Sequence, residues 1–455
     1  MIYPRHRALT TAIDCTPFSN KLTSTRTPLQ VRQRRFNRVL DGSEGKYSHL
    51  RFWSNTLRLP FIASLFIVAV LLPLETTASL QITTGDMWVV DNAEGESTGR
   101  ILAITPEGEA RVTVTATDVD NARIAANDTF PEGTGVRFTD NDIVFDHYGN
   151  FYFTESVSDG LFRLNENTGL QQIVRESDIV AVTQLYDPTI TTAYLEKIAA
   201  GSGDSLYVTE AKLDAILEID RITGEVSVLV SQEDLATALD TSKVMLNGGI
   251  ALSPDETTLY VVDDNGTDEL VKIDISGDTP VITVLASEED FPGGVTDKDR
   301  FLTTAPNGDV ILVDSESNDI FRVTPEGVVS VFLDDADIAA ILTSENYDPT
   351  GGIDFDLEGN FFIAQSEPPS SIIKWTVDNK DLGTIDTNSG VVFADEDSIR
   401  SDLGLPGTTV EFLGGFTFVP VIQEDPRVIP EPTSIAIWVL LGVAVSTIGW
   451  YRRKP

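Results

Sequence analysis

The chain has 455 residues, a formal net charge of −39 and a single cysteine, Cys15. The length allows two or three domains or one large repeat domain. Such an acidic surface repels nucleic acid and anionic lipid, so we expect no nucleic-acid partner, and it favours cations and basic partners. The same charge also serves solubility. Beyond the first 58 residues there is no cysteine, so a disulfide or a cysteine-zinc site is excluded there.

The N-terminal region predicts export. Residues 1–58 form a basic leader with 11 Lys or Arg against three acids, followed by a signal segment at 59–79. That segment opens with the apolar run LPFIASLFIVAVLLPL and ends in small residues, the order typical of a secretory signal, with cleavage expected after Ala78 or Ser79. Because the leader is too long for an ordinary signal, we interpret it as the product of a misassigned translation start. A genuine long leader and an uncleaved membrane anchor are the alternatives.

The body, residues 80–420, repeats one pattern six times. Each copy has four short runs rich in Ile, Val, Leu and aromatic residues, bounded by Gly, Pro, Asn and Asp, which is typical of an antiparallel meander. The steps between the ends of successive second runs are 64, 55, 53, 51 and 51 residues. Those second runs end at Asp91, Glu155, Glu210, Asp263, Asp314 and Gln365. A near-constant period of four-stranded units predicts an all-β, six-bladed β-propeller.

The first and last copies complement each other. Copy one starts directly at Asp86 and lacks a first run, whereas a spare first run, Gly414–Phe418, follows copy six. We therefore predict that the C-terminal run becomes the innermost strand of the first blade and closes the ring. Closure removes the two free edges that an open array would expose. An open solenoid is the alternative, and it would not need this arrangement.

Acidic residues follow a regular pattern. After the last run of each copy comes a cluster such as Ser231–Leu235, in which Ser or Asp caps a short helix and acids occupy its first turn. In a propeller these clusters share one face with the ends of the second strands. We therefore expect an acidic face that binds a partner, formed by Asp91, Glu155, Glu210, Asp263 and Asp314.

The residue types limit the chemistry. His147 is the only histidine of the body and lies in the turn DHYGN, where we interpret it as an exposed turn residue, so a Ser–His–acid triad or a histidine-rich zinc site is not expected. Any metal would be bound by oxygen ligands, which favours Ca²⁺ or another divalent cation. The segment Asp263–Glu269 places oxygens at alternate positions, as a calcium loop does. We interpret it as a hairpin loop, because its glycine is at the fourth position rather than the sixth.

The body resembles the six-bladed gluconolactonase-like (senescence marker protein) and NHL-type propellers. NDIVFD at 141–146 is similar to their blade with an Asn-Asp pair, and NGGIALSPD at 247–255 is similar to their Asn-Gly blade. The resemblance implies a divalent-metal site at the tunnel mouth with Asn141, Asn247 and Asp299 as ligands. It also implies lactone hydrolysis as an alternative function. The glutamate that this family uses has no counterpart before Trp88.

The C-terminal end follows a linker at 421–429. It contains Pro430-Glu431-Pro432, an apolar stretch at Ile435–Trp450 long enough to approach a bilayer core, and the basic cluster Arg452-Arg453-Lys454. This order resembles the PEP-CTERM sorting tail of Gram-negative bacteria. The resemblance implies that residues 430–455 form a transmembrane sorting helix, that an exosortase-type enzyme processes it, and that the host makes exopolysaccharide. The basic end is expected to remain cytoplasmic, which leaves the body outside.

Together these features predict an exported propeller, anchored in the membrane as a precursor and surface-attached or extracellular after processing. We expect it to act as a binding or scaffolding module for a polysaccharide or a protein. The alternative is a divalent-metal-dependent hydrolase at the tunnel mouth.

Overall fold

The computed structural model describes residues 81–92, 99–128, 138, 142–246, 248–264, 269–292, 301–314, 317–342, 351–366, 369–379, 384–405, 409–412 and 414–425. All of them belong to one compact unit within residues 75–455. The predicted leader and signal segment (1–79) and the sorting tail (430–455) lie outside the described residues, as do Pro430, Glu431, Pro432, Arg452, Arg453 and Lys454. Within the described ranges, no helix is both long and apolar enough to cross a bilayer.

Short strands are the most frequent elements of the described chain. In chain order they are β1 (Met87–Asp91), β2 (Arg100–Ile104), β3 (Ala110–Thr115), β4 (Ile143–Phe145), β5 (Phe151–Glu155), β6 (Gly160–Asn165), β7 (Gly169–Val174), β8 (Leu195–Ala200), β9 (Ser205–Glu210), β10 (Ala215–Asp220), β11 (Val226–Val230), β12 (Ile250–Leu252), β13 (Thr258–Asp263), β14 (Glu269–Asp274), β15 (Val281–Ala286), β16 (Leu302–Thr304), β17 (Val310–Val313), β18 (Ile320–Val323), β19 (Val329–Leu333), β20 (Ile353–Phe355), β21 (Phe361–Gln365), β22 (Ser371–Trp375), β23 (Val377–Asn379), β24 (Thr384–Ile385), β25 (Val391–Asp395) and β26 (Phe416–Phe418).

All of these strands except β23 and β24 form six antiparallel sheets of four strands each. From the inside outward the orders are β26-β1-β2-β3, β4-β5-β6-β7, β8-β9-β10-β11, β12-β13-β14-β15, β16-β17-β18-β19 and β20-β21-β22-β25, here called blades 1 to 6. The inner strands neighbour one another in a circle, and β20 and β4 both contact β26. The chain is a six-bladed β-propeller.

The predicted ring closure is confirmed. The C-terminal strand β26 pairs antiparallel with β1, with Met87 opposite Phe418 and Val89 opposite Phe416. Phe418 packs against Phe362 of blade 6, with ring centroids 4.9 Å apart. The three residues of β26 therefore join the first blade to the sixth.

The core lies between neighbouring blades. In five of the six blades every residue of the second strand is buried, because both faces of that strand contact other sheets. This is why the second runs are almost continuously apolar. Trp88 of blade 1 illustrates the packing, with its ring centroid 5.1 Å from that of Phe145 and 4.6 Å from that of Phe151, both in blade 2.

One irregularity recurs in all six blades. The pairing of the third strand with the fourth shifts register at the equivalent position, for example between Ile216 and Leu217 in blade 3 and between Ile320 and Phe321 in blade 5. A β-bulge of this kind bends the outer strand and increases its local twist. The bulge therefore shapes the rim in the same way around the ring.

A short helix follows each outer strand, as the acidic clusters predicted. The helices are α1 (Ala116–Ala125), α2 (Glu176–Thr183), α3 (Gln232–Ala238), α4 (Asp335–Ala339) and α5 (Glu396–Leu403), with a single 3₁₀ turn at Glu288–Asp290 in blade 4. Reciprocal capping bonds hold their first turns, as between Ser231 and Asp234. The helices pack against the outer strand of the next blade, α1 on β7 and α2 on β11, so they fill the wedge between blades at the rim.

Tight turns connect the third and fourth strands. Gly108, Gly169, Gly224 and Gly327 adopt φ values of 91°, 71°, 70° and 86° there, which confirms the predicted need for glycine. Gly277 in blade 4 does not adopt a positive φ. Blade 6 carries an additional small hairpin, β23 and β24, between its third and fourth strands.

The last described residues run across one face of the ring. We call this the exit face, where the first strands end; the opposite face, where they begin, is the entry face. Gln423 donates its backbone N–H to the His147 carbonyl at 2.8 Å, and Asp425 pairs with Arg221 Nη1 at 2.7 Å. Arg221 is only 1% exposed, and it also lies 3.5 Å from Asp146 and 4.2 Å from the Tyr148 ring centroid. We call these contacts the C-terminal clamp.

Candidate functional site at the tunnel mouth

The six inner strands surround a central tunnel that contains a cavity of about 130 Å³. Its wall is mostly apolar, and its polar side chains are Asp142, Thr303, Thr304, Asp354 and Thr417. A water molecule occupies roughly 30 Å³ of liquid, so the cavity has room for about four waters. It is smaller than the roughly 300–1,000 Å³ of a typical small-molecule site.

The entry end of the tunnel is formed by the residues just before or at the start of the inner strands. Taken around the ring from blade 1 to blade 6, the positions that precede the three-residue core of each inner strand hold Gly415, Asp142, Lys197, Gly249, Phe301 and Gly352. Three of the six positions hold glycine, and the other three hold Asp142, Lys197 and Phe301. The glycine at 415 leaves the space that the Asp142 carboxylate occupies.

Asp142 is held where blades 1, 2 and 3 meet. Its carboxylate accepts the backbone N–H of Ile143 at 2.9 Å and that of Ile198 at 3.4 Å. A Cβ atom at Gly415 of the closing strand would collide with Asp142 Oδ1, so glycine is required there. Burial raises the pKa of Asp142, and the positive charge of Lys197 opposes that rise.

Lys197 crosses the mouth of the tunnel. It is 2% exposed, and its Nζ lies 4.1 Å from the ring centroid of Phe301. The two residues belong to blades 3 and 5, so this contact links two blades that are not neighbours. A cation over an aromatic face is attracted by the ring quadrupole, and more strongly when it is desolvated. Lys197 and Phe301 therefore form a buried cation–π contact at the entry end of the tunnel.

Asp354 lies deeper, on the inner strand of blade 6. It accepts the backbone N–H of Phe355 at 2.8 Å and the hydroxyl of Thr303 at 3.1 Å. Burial, together with the charge of Asp142, raises its pKa to about 7, although the Thr303 hydrogen bond opposes the rise. Asp354 therefore gains or loses a proton close to neutral pH, which is a property often found at functional sites.

The residues predicted to bind a metal are not placed by the structure. Asn141, Asn247 and Asp299 lie outside the described residues, so the divalent-cation site they were predicted to form stays a prediction. Within the part of the chain that is described, no group of three or more His, Cys, Asp or Glu side chains is arranged to hold a metal ion. The segment Asp263–Glu269 connects paired strands, with its two end residues opposite each other, which confirms the hairpin interpretation.

The five carboxylates expected to form an acidic binding face have another role. They lie at the ends of second strands as predicted, but all are buried: Asp91, Glu155, Glu210, Asp263 and Asp314. The prediction that this set forms an exposed face is therefore corrected. Each carboxylate accepts hydrogen bonds from nearby loops. Without these carboxylates, polar groups of the loops would be buried without hydrogen-bond partners.

Glu210 shows the pattern most clearly. It accepts the backbone N–H of Leu213, in the turn that follows its strand, at 2.7 Å. It also accepts the backbone N–H of Tyr194, in the segment that leads to the inner strand, at 2.8 Å. Asp263 accepts the Met245 N–H at 2.8 Å in the same way. These acids tie the loops to the sheet.

His147 lies in the turn at the exit face, as predicted. Its side chain is 40% exposed, and Nδ1 is 3.5 Å from a carboxylate oxygen of Glu256. It is therefore remote in the fold from Asp142 and Lys197, which lie at the entry end of the tunnel.

The chain was compared with known protein families, curated proteins and solved structures. No protein-family model matches the chain, and no curated protein matches it. Among solved structures, the nidogen/laminin complex is 14% identical over 74% of this chain and 100% of that chain, with a TM-score of 0.46. Virginiamycin B lyase from Staphylococcus aureus is 13% identical over 67% and 89%, with a TM-score of 0.38. A gluconolactonase from Xanthomonas campestris is 11% identical over 62% and 84%, with a TM-score of 0.37. At these identities and TM-scores the likenesses carry no conclusion about this chain.

Proposed function

We propose that this propeller is a binding or scaffolding module. The observation that supports this proposal best is the buried contact between Lys197 and Phe301 at the entry end of a tunnel with a small cavity. The cavity behind them has a volume of about 130 Å³ and suits a few waters. A closed ring of this kind offers its rim and faces to a partner more readily than an internal chamber to a substrate.

The partner is a polysaccharide or a protein, and its chemistry is expected to complement the charge. The chain carries a formal net charge of −39. Basic proteins approach such a surface under favourable electrostatic steering, and an anionic polysaccharide requires cations such as Ca²⁺ between the two surfaces. Binding should therefore weaken as the salt concentration rises.

The competing function, a metal-dependent lactonase, depends on Asn141, Asn247 and Asp299, and no observation on the described residues favours it. The purified protein is expected to co-sediment with the host's purified extracellular polysaccharide or matrix, and to show no divalent-metal-dependent hydrolysis of gluconolactone. Metal-dependent turnover that disappears in Asp299→Ala would instead support the hydrolase and contradict the binding proposal.

Export and sorting form a second part of the proposal. We propose that the segment at 59–79 directs secretion and that an exosortase-type enzyme processes the tail, so that a membrane-anchored precursor becomes a surface or extracellular protein. This rests on the sequence resemblance of residues 430–455 to PEP-CTERM tails.

Glu431→Ala is expected to block that processing, because the substitution removes the carboxylate from the predicted recognition motif. Immunoblotting of membrane and extracellular fractions should show unprocessed precursor accumulating in the membrane. Glu326→Ala, which changes an exposed acid in a propeller turn, is the matched control and should mature normally. Normal maturation of Glu431→Ala would refute the sorting assignment.

A further inference from the structure

Blades 2 and 3 each place an aspartate directly before the third strand, but the first residue of the helix that follows the outer strand differs between them. In blade 3, Asp214 follows Glu210 by four residues, adopts a positive φ of 49°, and begins the turn into the third strand. Its Oδ2 accepts a hydrogen bond from the Gln232 side-chain amide at 2.8 Å, and its Oδ1 faces the Leu246 N–H at 3.4 Å. Gln232 is the first residue of α3. Both carboxylate oxygens of Asp214 therefore have donors.

Blade 2 has the same geometry with one changed residue. Asp159 is the counterpart of Asp214, with a φ of 45°, and Glu176 is the counterpart of Gln232, as the first residue of α2. Glu176 accepts the Ala193 backbone N–H at 3.2 Å but has no amide to donate. Asp159 is 9% exposed, and its Oδ1 is buried without a hydrogen-bond partner. A second acid thus stands where blade 3 has an amide donor.

The surroundings of Asp159 are predominantly negative. Burial of the Asp159 carboxyl is the largest cause of its raised pKa. The negative charges of Glu176 in α2, Glu155 at the end of β5 and Glu210 at the end of β9 raise that pKa further. Lys212, in the next blade's turn, opposes these three acids. The balance raises the pKa of Asp159 to about 8. One positive side chain does not compensate three negative ones.

We propose that Asp159 and Glu176 share one proton, which replaces in blade 2 the donor that Gln232 supplies in blade 3. A protonated carboxyl is an O–H donor, so one proton from solvent gives the pair a hydrogen bond and lowers its charge from −2 to −1. When the proton returns to solvent, Asp159 is left as a buried carboxylate under the negative charge of Glu176. The junction between the turn of blade 2 and α2 then becomes a pH-sensitive element of the rim.

The sign of the effect follows from linkage. In the unfolded chain the Asp159 carboxyl titrates near pH 4, whereas in the folded chain burial and the neighbouring acids raise its pKa to about 8. The folded state therefore binds more protons than the unfolded state between about pH 4 and pH 8. The contribution of this pair to stability falls as the pH rises through that window and is constant above it.

Matched substitutions in the two blades test the proposal. In thermal melts of the full chain in EDTA at pH 6 and pH 9, Glu176→Gln should reduce the fall in Tm seen for the wild type by about 2 °C or more. Gln232→Glu should build a second acid pair with Asp214 and increase that fall by a similar amount. If Glu176→Gln does not fold, Asp159→Asn supplies the amide from the other side and should act in the same direction.

Two results would overturn the proposal. The first is an unchanged pH dependence in Glu176→Gln and in Asp159→Asn. The second is a Tm increase on addition of millimolar Ca²⁺ that occurs in the wild type but not in Glu176→Gln, since the pair would then hold a metal ion rather than a proton.

Discussion

A chain that begins at residue 80 and ends at Phe412 is expected to lose its cooperative thermal transition, whereas the same chain ending at Asp425 should retain it. The shorter chain lacks β26, so β1 loses its inner partner and the buried rings of Phe416 and Phe418 are removed. Deleting a buried phenylalanine side chain costs about 3–5 kcal/mol, so two of them approach the total stability of roughly 5–15 kcal/mol. Circular dichroism melts and size-exclusion chromatography measure the result.

An intermediate chain separates the contribution of the strand from that of the clamp. A chain ending at Pro420 retains β26 but lacks Gln423 and Asp425. It should retain a cooperative transition, at a lower melting temperature than the chain ending at Asp425. If the chain ending at Phe412 melts at the same temperature as the one ending at Asp425, the ring does not depend on C-terminal closure.

Arg221→Met is expected to lower the free energy of unfolding by about 3–5 kcal/mol, because it leaves buried carboxylates without their cation. Asp146 is fully buried and Asp425 nearly so, and both are paired with this guanidinium. The substitution also removes the stacking on Tyr148 and the Nε hydrogen bond to the Gly203 carbonyl. Urea denaturation at neutral pH measures the loss.

The pH dependence of the loss distinguishes charge from packing. Burial already raises the pKa of Asp146, and Arg221 lowers it. Without Arg221 that pKa rises further, so protonation at mildly acidic pH should restore part of the lost stability. Arg221→Lys should recover only part of it, since an ammonium cannot reproduce the planar guanidinium contacts. A loss that is the same at pH 5 and pH 8 would point to packing alone.

The repeat architecture could be predicted from the sequence because its signals are local and recur six times. A buried second strand requires a continuous apolar run, such as Leu259–Val262. The start of a helix requires capping residues, such as those in Ser231–Leu235. Ring closure could be predicted because the first copy lacks a first run and a spare first run follows the sixth copy. The connections at Gly108 and Gly224 carry their own signal, since tight turns favour glycine at positive φ.

The tunnel mouth could not be predicted in the same way. Asp142, Lys197 and Phe301 come from three blades and lie at or just before the short paired segments of the inner strands. That they occupy equivalent positions becomes visible only when the six first runs are compared around the ring. The buried carboxylates were misinterpreted for a related reason. From the sequence alone, an acid at the end of a strand, such as Glu210, is expected to be exposed. The structure shows that the following turn folds back onto its carboxylate and buries it.

The route of the chain after β26 has a mechanical consequence. A pull applied directly at Phe418 would peel a three-residue strand away from β1 one pair at a time. Instead, tension from beyond Asp425 first reaches Arg221 in blade 3 and the His147 carbonyl in blade 2. Those contacts sit on blades whose four strands are continuous in sequence. The closing strand β26 therefore carries load only after the contacts of the C-terminal clamp have broken. The clamp thereby protects the pairing of β26 with β1.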